Sequence, residues 1–174
     1  MNNEKVLICL IANFVLFFFI GEVSHQLAPL GMSLQLDVIY IIFAGLYFRM
    51  LHGVIFVALI ALFANAITPL PYGFHFITYL ASWMFITWAR PRIRRENPAH
   101  VKLLAILIQT LFFLVITSLM GRSLFGEFFF WMRVATDYSL NMLILLAFTH
   151  LWCEFQRSLM LSMGWDLTSE YQKV

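Results

Sequence analysis

Arg133, Asp137 and Asn141 stand four residues apart within an apolar stretch. That spacing places all three on one stripe of a helix and predicts an Arg133 to Asp137 ion pair. Two chemistries fit such a stripe: an internal network that shapes a helical bundle or meets a partner, and a polar site for a substrate or ion. Ionisable groups are costly in hydrocarbon, so in either role the stripe faces the interior of the bundle. His150, Glu154 and Arg157 repeat the spacing further along, where long side chains near lipid headgroups reach water. Asn65, His75 and Thr78 surround the turn Pro69-Leu70-Pro71-Tyr72-Gly73, and Asn13 and Gln109 fall in the middle of apolar runs. Each can hydrogen-bond a neighbouring helix, a bond of on the order of 1 kcal/mol that specifies packing more than it stabilises.

The parts needed for catalysis are not written in the chain. There is no HExxH, no GxSxG, no pair of intramembrane aspartates and no phosphate-binding loop ending in Gly-Lys-Ser/Thr, so metalloprotease, hydrolase, aspartyl protease and nucleotide-driven pump all lack their minimum residues. Cys9 and Cys153 form no CxxC and sit in apolar stretches, which excludes a disulfide framework and a zinc site and leaves them as packing residues. The expectation is a protein that is not an enzyme and carries no metal or cofactor.

The elements that must position these residues follow from composition. Of 174 residues, 62% are hydrophobic and 11% charged, against about half and about a quarter in an average soluble domain. Six apolar runs bounded by charge, Pro or Gly predict an all-α polytopic membrane bundle, one domain over residues 1–174, with spans at 6–23, 34–48, 54–68, 74–89, 101–120 and 133–153. Fifteen residues rise only about 22 Å, so the second to fourth runs must thin the membrane or lie inside the bundle. Arg49, His52 and Gly53 divide the second run from the third and predict a helical hairpin; the Pro-rich segment predicts the next turn. Ala58, Ala61, Ala64 and Ala66 give the third run a small-residue face and point to it as the central helix.

Counting Lys and Arg orients the spans. With the N-terminus inside, Lys5, Arg49, Arg90, Arg92, Arg94, Arg95, Lys102, Arg157 and Lys173 fall on the cytoplasmic side and only Arg122 and Arg133 outside, an asymmetry that places both termini in the cytoplasm. The cluster Arg90, Arg92, Arg94 and Arg95 is read as a topology determinant that contacts anionic headgroups, at about 1 kcal/mol per basic residue. A net charge of +2 with otherwise scattered basic residues excludes a nucleic-acid partner. The aromatic run from Leu124 to Trp131 is too short to span, and is expected to lie in the outer interface or to cap the bundle.

Asp37 at the start of the second run, Gly53 after the hairpin, Asn65 at the end of the small-residue run, and Gly73-Phe74-His75 after the prolines together resemble the rod-shape-determining MreD family. The likeness covers residues 36–120 in detail and the remainder by hydropathy; Ala61 stands where that family usually has Gly, and Asn65 where it has Asp. The resemblance implies a non-catalytic component of the cell-elongation machinery in the bacterial inner membrane. Its partners there would be membrane lipids, an MreC-like bitopic protein and the wall-synthesis membrane enzymes. Asp37, Asn65, Gly73, His75, Arg133, Asp137 and Asn141 are then the expected partner or intramembrane contacts.

A second class is similar in fold, size and span number: the substrate-binding membrane subunit of an energy-coupling-factor transporter. Tyr72, His75, Trp131 and Asp137 could line the outer vitamin or metal pocket of such a subunit, since ligand sites combine apolar walls with a few convergent polar groups. Against it, the bulky run Phe14 to Phe19 occupies the first helix, where those subunits carry small residues spaced four apart.

Overall fold

The computed structural model describes residues 3–68, 70–93, 97–121 and 124–164, and every regular element among them is helical. Six α-helices follow in order: α1 (Asn3–Leu27), α2 (Asp37–Tyr47), α3 (Met50–Ile67), α4 (Phe74–Ala89), α5 (Pro98–Met120) and α6 (Phe128–Ser162). The stretches Val6–Leu30, Met50–Ile67, Pro98–Leu119 and Phe128–Ser162 are long and apolar enough to cross a membrane. The chain is an all-α membrane protein.

The central helix is α2, where the sequence points to α3. All ten residues from Asp37 to Leu46 are buried, and α2 touches α3, α4, α5 and α6. A helix apolar all round is one enclosed by others, and the eleven residues of α2 rise only about 16 Å. By contrast, α3 is two-sided. Gly53, Val57, Ala61 and Ala64 are buried while Ile55, Leu59 and Leu62 are exposed, so its inward face is only partly the four alanines singled out by composition.

Close approach to α4 explains two glycines. A Cβ on Gly45 would lie 2.5 Å from Ile86 Cγ2, and one on Gly53 would lie 2.7 Å from Trp83 Nε1. Gly53 therefore belongs to a helix interface and not to the hairpin turn, which is made by Phe48 and Arg49 in extended conformation. The helix ladder resumes at once, with the Gly53 N–H donating to the Arg49 carbonyl. Gly73 is a true turn residue, with φ +87° ahead of the first turn of α4.

The outer helices depart from the expected limits. The final helix is 35 residues long, about 52 Å, and begins within the aromatic run expected to be a loop; Phe128, Phe129 and Trp131 lie exposed on its first turn. Helix α5 starts at Pro98, where the Asn97 side chain accepts from the Ala99 N–H, the arrangement expected of an N-cap followed by Pro at N1. Bulky side chains of α1 pack rather than obstruct: Phe14, Phe17 and Phe18 surround Phe63 of α3, the closest ring centroids 4.7 Å apart.

Candidate functional site

Between α1 and α2 the chain does not run helically up to Asp37; residues 32–36 enter the bundle without regular structure. Every backbone N–H and C=O left without a helical partner in a water-poor interior must find another. Here side chains from three helices supply them. The Ser33 N–H donates to Asp137 Oδ1 at 3.0 Å, and its hydroxyl donates to Oδ2 at 3.0 Å. The Leu34 N–H donates to Ser24 Oγ of α1 at 3.2 Å. Asn141 Oδ1 accepts from the Gln35 N–H at 2.7 Å, while its amide donates to the carbonyls of Ser33 at 3.1 Å and Asp137 at 2.8 Å. Gln109 of α5 completes the set, accepting from the Val38 N–H at 3.2 Å and donating to the Gln35 carbonyl at 2.6 Å.

The polar stripe of α6 is thus a clamp on a non-helical segment. Asp137 and Asn141 meet through Ser33 and Gln35, residues that nothing in their own neighbourhood marks as special. Arg133 contributes less to it: its Nε lies 3.9 Å from Asp137 Oδ2 and its side chain is 63% exposed. The predicted pair therefore exists as an ion pair without a hydrogen bond. Further along α6, Arg157 lies 3.5 Å from Glu154, both partly exposed.

A second polar group joins α2, α3 and α4. Asp37 Oδ1 accepts from the Tyr79 hydroxyl at 2.6 Å, with His75 Nδ1 at 3.8 Å. The His75 N–H donates to Asn65 Oδ1 at 3.1 Å, and His75 Nε2 is 2.8 Å from Thr68 Oγ1. Because the Thr68 hydroxyl gives its one proton to the Ala64 carbonyl, Nε2 is the donor in that contact. Asp37, Asn65 and His75 therefore meet at one point, and the left-handed Gly73 turns the chain so that His75 can reach it. Tyr79 was not foreseen, although its place four residues beyond His75 is the helical-face signal that would have found it.

The basic loop divides. Arg90 donates from Nη1 to the Phe48 carbonyl at 2.9 Å at the end of α2, so it acts within the fold. Arg92 lies over the Trp88 ring at 4.2 Å, a cation-π contact suited to an interface between water and headgroups. Arg94 and Arg95 lie outside the described residues, as do Pro69 and Arg122.

A cavity of about 460 Å³ opens beside the clamp, lined by Ser33, Gln35, Glu127, Arg133 and Asp137 and walled by Phe113, Ile116, Phe129 and Phe130. Of the four residues expected to line an outer pocket, only Asp137 is there. Tyr72 is 86% exposed and His75 is 2% exposed, the first in a turn and the second engaged with Asn65 and Thr68. No cluster of His, Cys, Asp or Glu suited to a metal ion occurs among the described residues.

No family model, curated protein or solved structure matches the chain.

Proposed function

We propose that this protein is a non-catalytic scaffold of the bacterial cell-elongation machinery, a six-span inner-membrane bundle of MreD type with both termini in the cytoplasm. The observation that supports this reading is the convergence of Asp37, Asn65 and His75, with Gly73 at their turn, on the tie between α2, α3 and α4. Of these, Asp37 and Gly73 match the pattern of that family and Asn65 stands where it has Asp, and all four serve one structural purpose: holding three short helices close enough that Gly45 and Gly53 meet Ile86 and Trp83. A rigid three-helix unit with an apolar outer surface is what a membrane scaffold presents to bitopic partners. In this reading α2 lies wholly inside the bundle, α4 crosses a locally thinned bilayer, and the partners are an MreC-like protein, wall-synthesis membrane enzymes and lipid.

Depleting the protein in the bacterium that encodes it tests the reading directly. Loss of rod width control, with rounding or swelling, is the expected result. Full-length chains carrying substitutions at Asn65, Gly73 or Asp137 should insert but co-isolate less partner; normal shape and normal co-isolation would sink the proposal.

A second reading, the substrate-binding subunit of an energy-coupling-factor transporter, draws on the cavity beside Asp137. It predicts a nutrient-specific growth defect with unchanged shape. It also predicts ligand-dependent thermal stabilisation, worth about 2.7 kcal/mol at one hundred times Kd.

A further inference from the structure

Asp37 is a buried carboxylate, and no Lys or Arg among the described residues is paired with it. The Tyr79 hydroxyl donates to its Oδ1, and His75 Nδ1 stands 3.8 Å from the same oxygen. In a neutral His75 the one ring proton is on Nε2, donated to Thr68, so Nδ1 carries a lone pair. That lone pair is shielded from water and has no hydrogen-bond partner. Two acceptors thus confront each other in the interior of the bundle with no proton between them.

Nothing else packed around the pair can balance the carboxylate. From α2 comes Tyr40, which lies within the field of Asp37; from α3, Asn65 and Thr68. From α5, the Phe112 ring packs on Tyr79, and from α1, Phe17 packs on Tyr40. The rings of Phe74 and Tyr79 lie against the imidazole itself. In α6, Asp137 is turned to Ser33, and Arg90 is fifteen residues further along, about 22 Å by helical rise, on the Phe48 carbonyl. An uncompensated charge in such a site is costly.

We infer that Asp37 and His75 form a proton-operated latch between α2 and α4. A proton taken from water and held between Nδ1 and Oδ1 converts an open contact into a charge-assisted hydrogen bond of about 2.7–2.9 Å. The imidazolium then donates at both nitrogens, to Thr68 at the end of α3 and to Asp37 at the start of α2, and closes three helices around one ring. Without that proton, Tyr79 alone bonds the carboxylate. The pair lies where α2 and α4 begin and α3 ends. On the orientation read from the basic residues that end is outside the cytoplasm, so the latch answers to external acidity; the latch itself depends neither on that orientation nor on the scaffold reading.

The test is histidine-selective nitrogen NMR of the full-length chain in detergent micelles, titrated between about pH 5 and 8, where an imidazole ordinarily changes charge. Loss of signal in His75→Gln identifies His75. In wild type its Nδ1 should gain a proton in this window, and the Asp37 carboxyl carbon should shift with the same midpoint. Asp37→Asn keeps an oxygen for the Tyr79 hydroxyl but removes the charge, and should lower the midpoint by about one unit, tenfold in proton affinity. Tyr79→Phe removes a hydrogen bond that favours the charged carboxylate, and should raise it. A His75 ring that does not change protonation in the window overturns the inference, as does an Asp37 signal indifferent to it or a midpoint unmoved by Asp37→Asn. Should Asp37→Asn fail to fold, Tyr79→Phe decides, because a midpoint that does not rise leaves no shared proton.

Discussion

The bundle buries two aspartates to similar depth, Asp37 at 9% and Asp137 at 7% exposed, and uses them in opposite ways. Asp37 begins a helix and is tied to side chains of a neighbouring helix, Tyr79 and His75. The backbones on both sides are already hydrogen-bonded, so the tie adds specificity to surfaces that fit. Asp137 lies within a continuous helix and, with Asn141, bonds the backbone of a segment that has no helical ladder of its own. There the side chains stand in for secondary structure. The same residue type is an accessory in one region and part of the backbone accounting in the other, and the energetic consequence of losing it should differ accordingly.

Asn141→Leu is the sharpest way to break that contrast. It strands the Gln35 N–H and the Ser33 carbonyl in a buried site, at about 1–3 kcal/mol each, so a total of about 2–6 kcal/mol is expected. Thermal unfolding in detergent, read with proteolysis at residues 32–36, should show the largest loss of any single polar substitution. Tyr79→Phe removes one hydrogen bond to a carboxylate and should cost less, about 1.5–3 kcal/mol. If Tyr79→Phe proves the more damaging, the distinction between the two regions is wrong.

Within the α2 to α4 unit, shape should matter about as much as polarity. Gly53→Ala places a methyl 2.7 Å from Trp83 Nε1, and overpacking of a rigid indole costs about 1–3 kcal/mol. Gly73→Ala meets no atom within 4 Å but must hold φ +87°, a conformational penalty of about 1 kcal/mol. Comparing the two melting temperatures separates steric contact from backbone strain. A Gly73 variant that loses more stability than the Gly53 variant would mean the turn, not the helix interface, sets the α3 to α4 geometry.

What the sequence made legible follows the same division. Helical periodicity was enough to align Arg133, Asp137 and Asn141, because spacing alone determines which face a residue occupies. It could not name Ser33 or Gln35, since apart from the Ser33 hydroxyl those partners offer backbone groups to residues more than a hundred positions away, and backbone groups carry no residue signature. Gly53 was read as a turn because Arg49 and His52 precede it; its actual cause is an indole on another helix. The centrality of α2 was hidden for a related reason. Apolar residues all round a helix are as consistent with lipid as with protein, and only the tertiary contacts decide which solvent it has.

Arg133 tests whether the clamp extends to the third member of its stripe. It shares the i, i+4 register with Asp137, yet it is 63% exposed and 3.9 Å away, while Ser33 donates one hydrogen bond to each carboxylate oxygen. An exposed ion pair without a hydrogen bond contributes at most about 1 kcal/mol. Arg133→Gln should therefore leave thermal unfolding within that margin and leave residues 32–36 as protected from proteolysis as in wild type. Asp137→Leu, by removing both acceptors of Ser33, should expose them. A large loss from Arg133→Gln would place the guanidinium inside the clamp and make the ion pair, not the backbone bonds, the element that closes it.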